Sequence, residues 1–390
     1  MPEALINPIE DDWKIATLGE FCRSGGGDIQ TGPFGSQLHA SDYVQVGIPS
    51  VMPQDIGDNV IIEDSVARIT SDDASRLSRY LLREGDIVYS RRGDVERRAL
   101  VRQRENGWLC GTGCLRVRVG TSANSRFLSY YLGHPEVRKW IVRHAIGATM
   151  PNLNTAILSA VPVTLPPPLV QSAIAALLGA LDDKIAVNGA MSRTSYELAQ
   201  AIFSTQNTAR ESALSSIIDL RYGKALPEDV REPGNVPVFG SNGRSGWHSQ
   251  PLSRGPGIII GRKGANAGSV SWSHVPFWAI DTAFFVHPIS KDIPMEYLYL
   301  LLETVDFRKQ VGDSAIPGLN REIALACTIA LPPNDVISRI ASQVRPLLKL
   351  SDHMSEESSS LASLRDTLLP RLMSGEIRVR DAERIVEDAT

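Results

Sequence analysis

The chain has 390 residues, enough for two or three domains at roughly 150 residues each. Its 43% apolar and 22% charged residues are those of an ordinary soluble globular protein. The net charge of −4 argues against indiscriminate nucleic-acid binding.

No stretch approaches the ~20 apolar residues of a membrane span. The start, Met1-Pro2-Glu3-Ala4-Leu5-Ile6-Asn7, lacks the basic and apolar regions of a signal peptide, so a cytoplasmic protein without a membrane partner is expected. Residues 13–164 read as a mixed domain of short strands and loops. Ser24-Gly25-Gly26-Gly27 and Thr31-Gly32-Pro33-Phe34-Gly35 mark loops. Residues 85–90 and 115–119 read as strands, the second by strict alternation. A helix is expected over residues 125–144, with Phe127, Tyr131, Leu132 and Trp140 apolar. Leu165-Pro166-Pro167-Pro168 then opens a long helical stretch. Residues 212–330 repeat the plan in shorter form, with strands over 258–260, 270–272 and 283–286 and a helix over 295–310. Leu331-Pro332-Pro333-Asn334 opens a second long helix, in which Pro346 predicts a kink or a later start. The segment after Ser374 is acidic.

The repeat is regular. Met150-Pro151-Asn152-Leu153-Asn154 is echoed by Ile316-Pro317-Gly318-Leu319-Asn320, and the two Leu-Pro-Pro sites lie at the same offset of 166 residues. Asp86-Ile87-Val88-Tyr89-Ser90-Arg91-Arg92-Gly93 answers Gly257-Ile258-Ile259-Ile260-Gly261-Arg262-Lys263-Gly264 at an offset of 171. Solenoid periods run to about 20–50 residues, so this is one chain folding as two related lobes with an approximate two-fold axis. Such a chain suits a target in two halves.

The long helices share a heptad column. Ile174, Leu181, Asn188, Ser195 and Ile202 match Ile340, Leu347, Met354, Leu361 and Leu368, with Leu178, Ile185, Val344 and Leu364 in neighbouring rows. Apolar residues every seven describe a coiled-coil seam, and Asn188 within it could fix register. At 1.5 Å per residue the first helix would span roughly 50 Å. The expected fold is therefore α/β (α+β): two globular domains related by pseudo-two-fold symmetry and separated by two long antiparallel coiled-coil helices.

Enzyme signatures are missing. There is no G-x4-G-K-[ST] loop, G-x-S-x-G elbow or H-E-x-x-H, and the seven histidines show no ligand spacing. The Leu-Pro-Pro sites lack the Asn or Asp before Pro-Pro that an amino-methyltransferase places against a flipped base. Cys22, Cys110, Cys114 and Cys327 form no CxxC pair, and Cys110-x3-Cys114 would need two further metal ligands, so no metal site is expected. They read as buried or incidental thiols.

Charge is unevenly distributed. Residues 236–280 contain no acid but hold Arg244, Arg254, Arg262 and Lys263. Residues 91–104 hold six arginines (91, 92, 97, 98, 102 and 104) against Asp94 and Glu96. Arg91-Arg92-Gly93 and Arg262-Lys263-Gly264 each follow an apolar strand, which puts them at a strand end. Arginine can pair bidentately with guanine, and either cation neutralises phosphate. One such turn is ordinary; two at equivalent places in the two most basic stretches point to DNA, with Arg97 and Arg98 beside the first. Asn242, Arg244, Trp247 and His248 are further base-edge or stacking candidates, as are Gln30, Ser36 and Gln37 in the other half. Asn154 and Asn320 read as helix caps.

In this order, and twice over, the residues resemble the specificity subunits of type I restriction–modification systems. The resemblance covers nearly the whole chain. It rests on Trp13, Leu18-Gly19-Glu20, Pro151-Asn152-Leu153-Asn154 and Val161-Pro162-Val163-Thr164-Leu165-Pro166-Pro167. It continues through Gln171, Ile174, Leu178, Leu181-Asp182 and Lys184-Ile185 to Leu368-Leu369-Pro370-Arg371-Leu372-Met373-Ser374-Gly375-Glu376-Ile377. It implies a first target-recognition domain over 1–165, a central helical spacer over 166–208 and a second recognition domain over 209–331. A distal conserved helix over 332–376 and a C-terminal tail over 377–390 would follow. Each recognition domain would read half of a bipartite asymmetric sequence in double-stranded DNA. Two modification (methyltransferase) subunits would dock on the paired helices, and restriction (endonuclease/translocase) subunits would join them. S-adenosylmethionine, ATP and Mg would sit on those partners, and no cofactor on this chain. The second recognition domain is shorter than the first, Pro346 interrupts its helix, and residues 382–390 extend past the family's usual end. Recognition domains vary greatly, so no base-contacting residue transfers by motif. A metal-dependent nuclease with duplicated lobes, or a protein-only coiled-coil scaffold, stays open as an alternative.

Overall fold

The apolar run Ile87-Val88-Tyr89 and the alternation of Leu115-Arg116-Val117-Arg118 place two neighbouring strands at the middle of a sheet. The computed structural model describes residues 3–7, 12–147, 151–206, 210–290, 292–312 and 317–389. Met150, Ile316 and the expected domain boundary at 208/209 lie outside these residues. The chain divides into two compact units, one of residues 1–185 with 360–390 and the other of residues 186–359.

In the first unit a five-stranded sheet runs Asp28–Thr31, Cys114–Arg118, Ile87–Ser90, Arg98–Leu100, Asp58–Asn59. Its last pairing is parallel and the others antiparallel. A second sheet runs Tyr43–Val44, Ala67–Ile69, Ile48–Val51, Leu109–Cys110, again with a parallel last pair. Lys14–Thr17 and Pro162–Leu165 form an antiparallel ribbon. In the second unit the main sheet runs Ile218–Tyr222, Ala283–Pro288, Gly257–Gly261, Val270–Ser273. Its second sheet runs Gly243–His248, Val236–Gly240, Trp278–Ala279, with a parallel last pair, and its ribbon pairs Arg210–Ala213 with Thr328–Leu331. The four strands of the second unit's main sheet follow the order of the first four in the first unit's, and among the described residues only Asp58–Asn59 lacks a counterpart. The sequence repeat is a repeat of topology.

Leu115 and Val117 bury one face of the first sheet against Phe127, Leu128, Tyr131 and Ile141. The alternating arginines do not face water as the pattern implies. Arg116 is buried and paired with Asp28, and Arg118 grips the buried Asp86 carboxylate at 2.6 and 2.7 Å.

Three expected helices differ from expectation. Residues 125–144 form two helices, Ser125–Tyr131 and Pro135–His144, because Pro135 starts the second and cannot continue the first. Residues 295–310 form a helix over Met295–Thr304 and then a 3-10 turn over Phe307–Gln310, since Val305 turns extended and Phe307 dives into the core. Pro346 does not interrupt its helix, which runs unbroken over Asn334–Ser374. Pro346 and Ser342 are both exposed, so water can take the carbonyl that the missing N–H leaves free.

The long helices are Pro168–Ser204, of 37 residues, and Asn334–Ser374, of 41. Within the first unit, Ile174, Leu178 and Leu181 share a core with Leu361, Leu368 and Leu372. The Arg365 guanidinium donates to Asp182 at 2.8 Å, and the Tyr130 hydroxyl donates to the same carboxylate. Within the second unit the helix segments run antiparallel: the Asn188 amide donates to Glu357 at 2.7 Å and Ser192 meets Ser351 at 2.8 Å. Ile340 and Val344 pack there with Ala199 and Phe203. After Gly375 the acidic segment folds as the amphipathic helix Val379–Ala389, which buries Ala382 and packs Val379 and Val386 on the first unit's core. Among the described residues no helix is long and apolar enough to cross a membrane.

Two predictions follow from this packing. Burial pushes the Cys22 and Cys110 thiols up to about 12 and Cys114 well above its usual range; it raises Cys327 as well, but that thiol is half-exposed. At pH 8 a thiol reagent such as Ellman's should therefore modify Cys327 quickly and the other three only after denaturation. Arg365→Met should destabilise the first unit by about 3 kcal/mol in urea unfolding, because it strands a buried carboxylate. Adding Asp182→Asn should cost less than the sum of the two single changes.

Candidate nucleic-acid interface

In both units the matched strand, Ile87–Ser90 or Gly257–Gly261, runs straight into the basic tripeptide. The tripeptide ends on a glycine with positive φ, 74° at Gly93 and 90° at Gly264, a conformation that other residues resist. Each tripeptide is strapped to the Pro-x-Leu-Asn echo of its own unit. Gly93 N–H donates to the Pro151 carbonyl (3.1 Å) and Leu153 N–H to that of Arg91 (2.8 Å). Gly264 N–H donates to Pro317 (2.9 Å) and Leu319 N–H to Arg262 (2.8 Å). The two sequence echoes, at offsets of 166 and 171 residues, are halves of one structural motif. Asn154 and Asn320 cap the short helices that follow, Thr155–Ser159 and Arg321–Leu325, by accepting from backbone N–H groups at 2.8 Å.

The side chains sort by exposure. Arg92 and Lys263 are exposed on the strapped turns, while Arg91 and Arg262 are half-buried beside them. Arg91 lies over the Phe34 ring at 5.8 Å, and Arg262 over the Tyr222 ring at 4.7 Å with Nη1 donating to the Asp281 carbonyl. Arg97 is exposed but tied to Asp94 at 2.7 Å, which offsets its charge. Ser36 is exposed, and Gln30 is half-buried in a cleft it shares with Arg79, Arg83, Arg116 and Arg118. Asn242 sits at a hairpin tip and accepts from Asn266 at 3.0 Å. Arg244 stacks over the exposed Trp247 ring at 4.9 Å on the strand that follows.

Three candidates turn inward. Arg98 is 5% exposed, donates from Nε to the Ser129 carbonyl at 2.8 Å, and has Asp58 3.6 Å away. It belongs to a strand in the middle of the sheet, under the helix Ser125–Tyr131, and loss of hydration lowers its pKa. His248 is buried against Trp278, its Nδ1 accepting the Glu232 N–H. Gln37 is half-buried, its side-chain oxygen accepting from Phe34 N–H in its own loop and from the Tyr80 hydroxyl of the turn Ser78–Tyr80.

The helix positions need a similar correction. Ile174, Leu181, Asn188, Ile340, Met354 and Leu361 are buried, and Leu347 is half-buried. Their side chains hold the helices together and do not face a partner. The outward face of the first helix in the second unit instead carries Val187, Met191 and Leu198, at helical spacing and 43–53% exposed.

Residues 10–192 and 208–360 match the sequence model of the type I restriction modification DNA specificity domain. The chain belongs to that family. It is 27% identical over 115 residues to the specificity subunit of the type I restriction enzyme EcoprrI from Escherichia coli, a stretch that spans 28% of either chain. Its fold is similar to that of a type I restriction–modification system S subunit from M. genitalium, with a TM-score of 0.65 and 18% identity. That likeness covers 94% of this chain and 99% of the other.

Within this specificity-domain chain, the neighbouring arginines separate by role. Arg98→Ala should lower thermal stability clearly, by the ~3 kcal/mol typical of a broken buried polar contact. Arg92→Ala, on the open turn, should stay within about 0.5 kcal/mol of the parent. Thermal unfolding of the two variants side by side checks both.

Proposed function

We propose that the chain is the non-catalytic reader of a type I restriction–modification complex, each unit recognising one half of a bipartite, asymmetric double-stranded DNA target. The observation that carries this is the duplicated strap, which presents a basic turn at the same place on the same sheet in two units whose surrounding loops differ. A shared scaffold with different loops suits two half-sites of different sequence. In the first unit Arg91, Arg92, Ser36 and Gln30 form the contact set, with Arg97 weakened by its ion pair. In the second, Asn242, Arg244, Arg262 and Lys263 do so. The exposed cations neutralise phosphates, and the stacked arginines offer paired donors to guanine edges.

Methyl transfer and cleavage then belong to other chains. Two modification subunits are proposed to dock on the outward faces of the long helices, where Val187, Met191 and Leu198 offer apolar contact, and restriction subunits to join that assembly. S-adenosylmethionine, ATP and Mg would be held by these partners. The complex would work in the cytoplasm.

Selection of randomised duplexes by the chain purified with its modification subunit tests the reading. The expected result is two short sequence blocks at a fixed spacing; no preference for any bipartite sequence would sink it. In the same complex Arg92→Ala and Lys263→Ala should each weaken binding to all duplexes alike. Each should also reduce the slope of log affinity against log salt by about 1.

A further inference from the structure

Each unit carries a large aromatic ring that stays half in water, although Tyr222 leans on the buried Phe284 ring at 5.1 Å. Phe34 is 52% exposed and Tyr222 is 54% exposed, yet both lie at the strand end that carries the basic turn. Each ring lies against the first residue of that turn, Phe34 against Arg91 and Tyr222 against Arg262. The two rings do not occupy equivalent positions. Gly32 and Gly223 are the equivalent residues: their N–H groups donate to Cys114 (2.9 Å) and Ala283 (3.0 Å), the matching strands of the two sheets. A Cβ at either would come within 2.1 Å of a backbone oxygen, Gly111 in one unit and Ile280 in the other, so only glycine lets the chain pass. Tyr222 stands one residue before its glycine, and Phe34 two residues after. The same ring–arginine pair is thus reached by two different routes, and a duplicated sequence does not account for it.

We infer that Phe34 and Tyr222 are positioning residues for recognition: each ring limits the movement of its arginine so that a guanidinium edge is presented to a guanine in its half-site. This rests on the DNA-reading function proposed above. A guanidinium stacked on a ring keeps its in-plane donors free, and that edge matches guanine O6 and N7. The Arg91 Nε is shut away without a partner, which leaves its terminal nitrogens as the usable donors. Arg262 spends one donor on Asp281 and keeps Nη2. Among the described residues neither arginine is in an ion pair, so no carboxylate competes for the edge. Free rotation of a long side chain is what a reader must lose on binding, and the ring removes part of that loss in advance.

The test uses the chain in complex with its modification subunit and a pool of randomised duplexes. The wild type first yields its two half-sites. Phe34→Leu and Tyr222→Leu keep apolar bulk but remove the ring, whereas Phe34→Tyr and Tyr222→Phe keep it. The leucine variants should bind the wild-type consensus duplex about tenfold more weakly and lose preference at a G·C pair, one variant in each half-site. Affinity for a scrambled duplex and the salt slope should not move, and the ring-keeping variants should match wild type. Leucine variants that select as wild type does, or that weaken consensus and scrambled duplexes equally, would overturn the inference alone. A wild-type complex without any bipartite preference would overturn the DNA-reading function and this inference with it.

Discussion

The two matched basic turns hang on one constraint, the main-chain strap between each turn and the Pro-x-Leu-Asn segment. Its hydrogen bonds join backbone to backbone, so they fix the turn whatever side chains it carries. From Leu153 and Leu319 the chain passes at once to a capping asparagine, a five-residue helix, a ribbon strand and a long helix. The basic turn of each unit is therefore tied to a long helix through a short connection. Loops elsewhere can change without moving the turn. That separation lets a recognition surface vary while its scaffold stays put.

The long helices pair through more than apolar packing. In the first unit Asp182 sits between the Tyr130 hydroxyl and the Arg365 guanidinium, which also reaches Asp58. In the second, Asn188 meets Glu357 at a position where a hydrocarbon would pack without cost. Buried polar pairs of this kind add little net stability, but they penalise every other register. Serines that meet across the second unit's seam permit close approach without demanding one alignment, so the polar pairs set it.

Much of this was legible in the residues. The offset repeats gave two units, the heptad column gave the helix seam, and Asn154 and Asn320 gave their caps. What periodicity could not report is what covers the polar face of a strand. Arg116 occupies a position that a two-residue alternation assigns to solvent, yet an ion pair encloses it, and Arg98, placed by its basic neighbours among the DNA candidates, is covered by a helix. His248 fails for the same reason, since a half-polar loop gives no hint that Trp278 closes over it. The break before Pro135 was available from proline chemistry and was hidden by the apolar spacing on either side of it. Phe34 and Tyr222 left no shared pattern because they stand at different distances from their glycines; only the sheet pairing brings each to its arginine.

The first unit is built from two stretches separated by the whole second unit, with Leu361, Leu368, Leu372 and Ala382 in the same core as Leu18 and Phe127. This sets an order of assembly during synthesis. Residues 186–359 are contiguous and can fold as they emerge, whereas the earlier-made unit stays unfinished until residues 360–390 have emerged as well. At about 5–20 residues per second that delay is roughly 10–40 s. A chain cut short by premature termination would lack the closing part of its first core while its second was intact. A chain that stops short of residue 360 is left with an open first core for proteases to find.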